Sequence, residues 1–448
     1  MHIGVIGAGK SATVLIDYLQ QTCVERNWQL SIGDANVQMV RSKISTHQNI
    51  YAVALKADDA LQRNAFITSV DLVISMLPPA LHILVAQDCL RLGKHLLTAS
   101  YVDEALKKIA DQVKSNGLIF LCEMGLDPGI DHMSAMQLID RIHNAGGKIT
   151  AFYSHCGGLI APECDDNPWH YKISWNPRNI VLAGKSGAVY RENKQTIQKP
   201  YPELFNQAPT IACEGMPLLE WYPNRDSLSY IPLYGLDHAS TFIRTTLRYQ
   251  HFCSGWHTVA TLGLTDTEDQ ALVKKCSTFH EWISEKINAS LPKANGLSDY
   301  VAHTLPKAIQ AITLEQLSYL GLDVEEPIPQ DANCSADILQ KRIESRLALQ
   351  PTDKDMIVML HEIEYTTSDG QNRKCSASLV VKGEDHFHTA MAKTVGLPLA
   401  IAAELILTGK IYTGGLQIPT SPEIYEPVLK ALSEKGIRFV EQDELSEL

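Results

Sequence analysis

The chain reads as an α/β protein: a doubly wound parallel sheet, interrupted by an inserted α+β domain that carries a helical subdomain. Three observations predict this. Strand and helix patterns alternate over residues 1–125, aromatic-rich alternating strands follow, and a helical tail closes the chain. Strands separated by helices need crossover connections, and so pair in parallel.

The first strand is apolar, with Ile3, Val5 and Ile6, and runs into Gly7-Ala8-Gly9-Lys10-Ser11-Ala12. Val14, Leu15, Tyr18 and Leu19 then recur at helical spacing. This is the G-x-G-x-x-G/A arrangement of a Rossmann dinucleotide site. Gly7 serves the tight turn, Gly9 the close approach of backbone to pyrophosphate, and Ala12 the packing of helix on sheet. The helix N-terminus offers free N–H groups to the phosphates, and Lys10 and Ser11 lie in the same loop. A second strand over residues 29–33 ends at Asp34, where an acid hydrogen-bonds the adenosine ribose. An ordinary βαβ turn with Asp34 as a strand-end cap is the alternative.

Further strands are expected over residues 50–55, 71–77, 95–98 and 118–121, with helices over 80–92 and 104–115. Pro78-Pro79 ends one strand and opens the helix after it. The domain boundary is placed at 125/126. Residues 126–387 are read as the inserted domain, with the helical subdomain at about 258–350 and an antiparallel sheet over 148–258. Strands are expected over 356–364 and 374–381, around a Ser-Asp-Gly turn. Residues 388–448 hold helices over 395–407 and 422–435, the latter with Ser421 as N-cap, and return to the nucleotide domain.

At 448 residues the chain suits two or three domains. Its 45% hydrophobic and 20% charged composition is ordinary for a globular protein. No apolar run approaches membrane-spanning length, so no membrane partner is expected. The chain opens on a strand rather than a basic and then apolar leader, so no signal peptide is expected. A net charge of −12 argues against nucleic acid as a partner. Ten scattered cysteines without a C-x-x-C pair suit reduced thiols in the cytoplasm rather than a zinc site or disulfide framework. The spacing of His132, His143, His155 and His238 matches no ligand pattern, so no metal is assigned.

Three segments carry chemistry. Cys122-Glu123-Met124-Gly125-Leu126-Asp127-Pro128-Gly129-Ile130-Asp131-His132 places a fixed turn at a strand end, pointing at the cofactor crevice. Ser154-His155-Cys156-Gly157-Gly158-Leu159 sets paired glycines beside a thiol and an imidazole. Tyr222-Pro223-Asn224-Arg225-Asp226-Ser227 precedes Arg244 and Arg248, which share a face if they lie on a strand. Arginines beside a cleft suit a polycarboxylate through bidentate pairing, whereas any one of them alone is also what a surface salt bridge looks like.

Together these segments resemble the saccharopine dehydrogenase (glutamate-forming) or saccharopine reductase family, from Met1 to the final helix. The resemblance rests on GAGKSA, Ala99-Ser100-Tyr101, EMGLDPGIDH, HNAGGKI, the CGGL to KISW run, PNRDS, IRTTLRYQ, and TAMAKTVGLPLAIAAELIL with GLQIPT. It implies a Rossmann domain for the nicotinamide cofactor, an inserted substrate domain with a helical subdomain, and a homodimer. It implies saccharopine held by Ser100, Tyr101, Asp127, Cys156, Arg225, Thr246, Leu247 and Arg248. The cofactor is implied along Gly7 to Ala12 and Asp34, then near Leu126 and Ser174. Members that use NADPH carry an arginine where this chain has Asp34. A carboxylate there favours the free ribose hydroxyls of NAD over the 2′-phosphate of NADP, with Arg41 and Lys43 near enough to soften the preference.

The reaction implied is hydride transfer from the carbon that was the lysine ε-carbon. The imine is then hydrolysed to glutamate and 2-aminoadipate 6-semialdehyde. The amine must lose a proton, and Asp127, Cys156, Tyr101 or ordered water are the candidates to take it. Two other readings stay open: a dehydrogenase of a related carboxylated secondary amine, such as a carboxy-polyamine, and a non-catalytic dinucleotide sensor.

Overall fold

The computed structural model describes residues 1–445. Two compact units are present: Met1–Lys148 with Val381–Val440, and Ile149–Val380 with the chain from Glu441 on.

In the first unit the strands are β1 (His2–Ile6), β2 (Gln29–Asp34), β3 (Ile50–Ala54), β4 (Leu72–Ser75), β5 (His95–Thr98) and β6 (Ile119–Leu121). With Gly415–Gln417 they form one sheet in the order Gly415–Gln417, β6, β5, β4, β1, β2, β3. Every pair is parallel. The order reverses between β1 and β4, and an open α/β sheet binds its ligand outside the carboxyl ends of the strands at such a switch point. Strands this deeply buried read as near-continuous apolar runs because helices cover both faces.

Local chemistry sets the helix starts. Asp59 accepts from the N–H groups of Leu61 (2.9 Å) and Gln62 (3.1 Å) to cap Ala60–Thr68. Thr389 accepts from Ala392 N (2.9 Å) to start Ala390–Leu407, five residues before the expected beginning. Ser421 does sit at the N-cap of Pro422–Glu434, but its hydroxyl makes no capping bond. The helix expected over 104–115 is two short helices, Glu104–Lys107 and Ala110–Ser115.

The two compact units divide at 148/149, some way past the boundary expected at 125/126. Helix Ile130–Asn144 stays with the first unit because it packs against Pro422–Glu434, with Tyr425 donating to Asp140 (2.6 Å). Ala390–Leu407 likewise corrects the reading that no apolar run is long enough to span a membrane. At 18 residues and a mean hydropathy of 1.6 it meets that length and composition, yet 67% of it is buried inside the protein. It packs on helix Thr13–Glu25, where Gly396 lets the two backbones approach: a Cβ there would lie 2.8 Å from Leu15 N.

The second unit is built on β7 (Lys148–Ile160), β8 (Ala188–Glu192), β9 (Gln195–Lys199), β10 (Thr210–Ile211), β11 (Leu219–Pro223), β12 (Thr241–Tyr249), β13 (Asp355–Thr366) and β14 (Asn372–Lys382). The order is β10, β11, β12, β7, β13, β14 and Val440–Leu445, with β8 paired to β12 and β9. The sheet is mixed rather than antiparallel, because β12 runs parallel to β7. The chain from 161 to 240 forms the long crossover that parallel pairing requires. Helices including Phe252–Thr261, Phe279–Ser290, Lys307–Leu320 and Ser335–Arg346 enclose an apolar cluster containing Trp169, Trp256 and Trp282. Trp169 Nε1 donates to Gln316 O (2.8 Å), and Gln316 Nε2 donates to the carbonyls of Pro168 and His251 (3.0 Å each).

Gly396→Ala is expected to lower stability by about 1–3 kcal/mol, since the new methyl meets backbone that cannot step aside. Urea unfolding checks this through a lower midpoint at unchanged slope. An unchanged midpoint would mean that the two helices separate without cost.

Candidate active site

At the switch point the chain leaves β1 through Gly7, whose φ of +101° and 2.9 Å spacing from the would-be Cβ to Met76 O admit no side chain. At Gly9 the opposite holds: a Cβ there would meet no atom within 4 Å. The surface over Gly9 is therefore open to a ligand. Ala12 is buried, Ser11 half-buried and Lys10 exposed. The first turn after the loop, Lys10–Ala12, is a 3₁₀ helix, and the α-helix begins at Thr13.

Asp34 braces this loop. Its Oδ2 accepts from Ala8 N and its Oδ1 from Asn36 N, each at 2.8 Å. Lys43 donates to Gly9 O (2.8 Å) and Thr13 Oγ1 (2.9 Å). Burial lowers the Lys43 pKa, against the opposing pull of Asp17 and Asp34. Arg41 is exposed at the end of the short helix Val37–Arg41. An open glycine loop, a helix N-terminus and a carboxylate at the end of β2 fit a dinucleotide.

Beyond β4, β5 and β6 lies a second cluster of the same unit. Tyr101 Oη donates to Asp127 Oδ1 (3.1 Å), and the Asp127–Pro128 peptide is cis. Glu123, at φ +54°, accepts from Val102 N (3.0 Å) and bonds His132 Nε2 (2.8 Å). Its N–H donates to Ser100 O (3.1 Å), so Glu123 ties the chain from Ser100 to Val102 to helix Ile130–Asn144, which follows the Asp-Pro-Gly turn. Asp131 Oδ1 accepts from Gly129 N (2.6 Å). Leu126 is buried beside them, and its carbonyl accepts from Asp131 N (3.1 Å).

The second unit carries the other candidates. Arg244, Thr246 and Arg248 alternate along β12 and so share one face, as their spacing predicts. Thr246 stands opposite Cys156 of β7 on one side and Tyr222 of β11 on the other. Arg248 is only 6% exposed. Its guanidinium carbon lies 5.1 Å from the ring centre of Phe252, 5.3 Å from Tyr171 and 5.7 Å from Tyr222. It donates to Leu247 O (2.8 Å) and Tyr222 Oη (3.3 Å), while its Nε has no partner. Among the described residues no carboxylate pairs with it. Arg244 lies 4.4 Å above the Tyr230 ring. Arg225 is exposed, at φ +49°. Ser174 is buried, and the Leu247 side chain is packed in an apolar cluster, leaving only its main chain to face a ligand.

The candidates thus divide. Gly7 to Ala12, Asp34, Ser100, Tyr101, Leu126 and Asp127 belong to the first unit; Cys156, Ser174, Arg225, Thr246, Leu247 and Arg248 belong to the second. Sequence reading passed over His82, gave no site role to Ser75, Glu123 or His132, and did not foresee the aromatic enclosure of Arg248. One signal was available for His82, a polar residue one turn into a helix at the carboxyl edge of the sheet.

Residues 3–121 match the saccharopine dehydrogenase NADP binding domain, and residues 125–437 match the saccharopine dehydrogenase C-terminal domain. The chain belongs to the saccharopine dehydrogenase family. It is 30% identical over 450 residues to the saccharopine dehydrogenase [NADP(+), L-glutamate-forming] of Schizosaccharomyces pombe, covering 98% of each chain. The solved apo saccharopine dehydrogenase (L-Glu forming) of Saccharomyces cerevisiae superimposes with a TM-score of 0.87, at 28% identity over 99% of both chains. The mitochondrial alpha-aminoadipic semialdehyde synthase of Bos taurus is 34% identical over 446 residues, 98% of this chain. The chain spans about half the length of that relative, 47%. The first unit is accordingly an NAD(P)-binding Rossmann domain.

Gly9→Val is expected to fold normally, because the added carbons enter open space at an ordinary φ of −62°. It is expected to weaken NAD(H) binding by roughly tenfold or more, since those carbons occupy the phosphate approach. Fluorescence titration alongside thermal unfolding checks both halves; undiminished binding would move the dinucleotide away from this loop.

Proposed function

We infer that the protein interconverts saccharopine, NAD(P)⁺ and water with L-glutamate, 2-aminoadipate 6-semialdehyde, NAD(P)H and a proton, in lysine metabolism. The observation that carries this reading is Arg248, a buried guanidinium that pairs with no carboxylate among the described residues, in a family whose substrate is a polycarboxylate. Holding an unpaired charge out of water costs several kcal/mol, and an anionic ligand offsets that cost. The aromatic rings that wall Arg248 return part of it through cation–π attraction, about 0.5–2 kcal/mol each.

Bound nicotinamide dinucleotide supplies the hydride acceptor. The chain's own groups bind and orient the amine: Arg225 and Arg248 take carboxylates, Thr246 and the Leu247 main chain line the same strand, and Ser100 adds a hydroxyl. Tyr101 and Asp127, already hydrogen-bonded to one another, are the pair best placed to accept the amine proton, with Cys156 as a further proton-handling or orienting group. Water adds to the oxidised carbon–nitrogen bond, and the product collapses to the amine of glutamate and the aldehyde.

NAD is the preferred cofactor in this reading, with NADP also accepted. Asp34 keeps a carboxylate at the end of β2, and Lys43, which feels its charge, is committed to Gly9 O and Thr13. The yeast relatives are named as NADP(+) enzymes, and this reading sets the chain's preference apart from theirs. The ten free thiols suit the cytoplasm, and a homodimer is the proposed assembly.

The direct test follows reduced nicotinamide by absorbance with purified protein, saccharopine and either NAD or NADP. Turnover with saccharopine is expected, and its absence with both cofactors would overturn the reading. Arg248→Met and Arg225→Met are each expected to raise the KM for saccharopine by roughly 10- to 1000-fold, the loss of a charge-assisted carboxylate bond. In the same assay Asp34→Arg is expected to shift preference toward NADP by at least roughly tenfold. An unchanged ratio would remove Asp34 from cofactor selection.

A further inference from the structure

Between the ends of β4 and β5 a buried imidazole joins two hydroxyls. Ser75, the last residue of β4, has its Oγ 2.8 Å from His82 Nδ1. His82 Nε2 lies 2.7 Å from Ser100 Oγ and 3.4 Å from Thr98 Oγ1. Ser100 N donates to Thr98 Oγ1 (3.2 Å). His82 is 3% exposed and Ser75 1%, so bulk water does not replace either partner.

Burial pulls the His82 pKa down to about 4, with only Asp103 opposing. The ring is therefore neutral at neutral pH, with one N–H and one lone pair. Two arrangements satisfy both hydroxyls. If Nδ1 carries the proton, Ser100 must give its own proton to Nε2 and can only accept from a ligand. If Nε2 carries it, Ser75 donates to Nδ1, Nε2–H donates to Ser100 Oγ, and the Ser100 proton is free to point outward. A hydroxyl that binds an anionic substrate must donate, and only the second arrangement lets it.

We propose that His82 is a positioning residue, with its Nε2–H held on Ser100 Oγ so that the Ser100 hydroxyl donates to a carboxylate of the substrate. Ser75 fixes the tautomer by donating to Nδ1. The helix Pro79–Leu92 carries His82 in its first turn, so the imidazole is set by rigid elements on both sides. This inference rests on the proposed saccharopine reaction and adds the residue that orients one of its binding groups.

The experiment is a double-mutant cycle on the full chain, read as kcat and KM for saccharopine with the KM for NAD as control. Wild type is measured first: an inactive wild type overturns the functional reading and this one with it. With an active wild type, His82→Ala and Ser100→Ala are each expected to raise the saccharopine KM roughly 10- to 150-fold, the cost of one lost hydrogen bond to a charged group. The double variant is expected to be no worse than the poorer single, and the KM for NAD is expected not to move. Singles whose effects multiply would overturn the inference while leaving the reaction intact. Because an alanine at a buried histidine can unfold the domain, His82→Gln and His82→Asn form a second pair. Glutamine can place a donor near the Nε2 position and is expected to recover most of the KM. Asparagine reaches only the Nδ1 position and is expected to behave like a deletion. Equal behaviour of the two would also overturn the assignment.

Discussion

The first unit depends on the close packing of helix Ala390–Leu407 against helix Thr13–Glu25. The glycine loop opens directly into the second of these helices, so whatever holds that helix also holds the nucleotide loop. Leu15, Ile16 and Leu19 are wholly buried, worth roughly 1.5–3 kcal/mol each. Polar ties flank them: Tyr18 Oη donates to Glu404 (2.7 Å), and Arg26 Nε meets the same carboxylate (3.1 Å). Arg26 is 41% exposed, and such a pair is worth about 0–1 kcal/mol. The apolar contact therefore carries the energy. A chain that leaves the sheet for more than two hundred residues must return to cover this helix, which is why the last segment belongs with the first.

Backbone groups hold much of the site, and Tyr101 and Asp127 also bond one another. Asp34 spends both oxygens on N–H groups of the loop and its successor, and Lys43 spends two of its donors on the same loop. Glu123 ties the chain from Ser100 to Val102 to His132, on the helix that follows Asp127. In the second unit the pleat of β12 puts Arg244, Thr246 and Arg248 on one face, and aromatic rings rather than acids line the walls around Arg248. An acidic chain with a net charge of −12 gains a site for an anion by local burial of a cation, not by its overall field.

Some of this was legible in the residues. The strand–glycine–helix order at Ile3 to Leu19, the acid at Asp34 and the strand spacing to Leu121 each follow from short-range pattern. So does the shared face of Arg244 and Arg248, because a strand has a period of two. The combination of EMGLDPGIDH, CGGL and PNRDS carried the family. Breaks in pattern were less visible: the split of the 104–115 helix and the 3₁₀ turn at Lys10–Ala12 are local adjustments that propensity does not register.

By itself the sequence determined the type of each element, the dinucleotide loop and the chemical character of the candidate ligands, because those depend on neighbours within a few positions. Tertiary structure alone decided that β12 runs parallel to β7, that residues 126–148 stay with the first unit, and that no carboxylate among the described residues pairs with Arg248. It also decided that His82 lies between Ser75 and Ser100, and that Glu123 meets His132. The parallel pairing of β12 with β7 and the His82–Ser100 contact join segments that crossover connections separate along the chain. No period in the residues encodes which strand end will stand beside which.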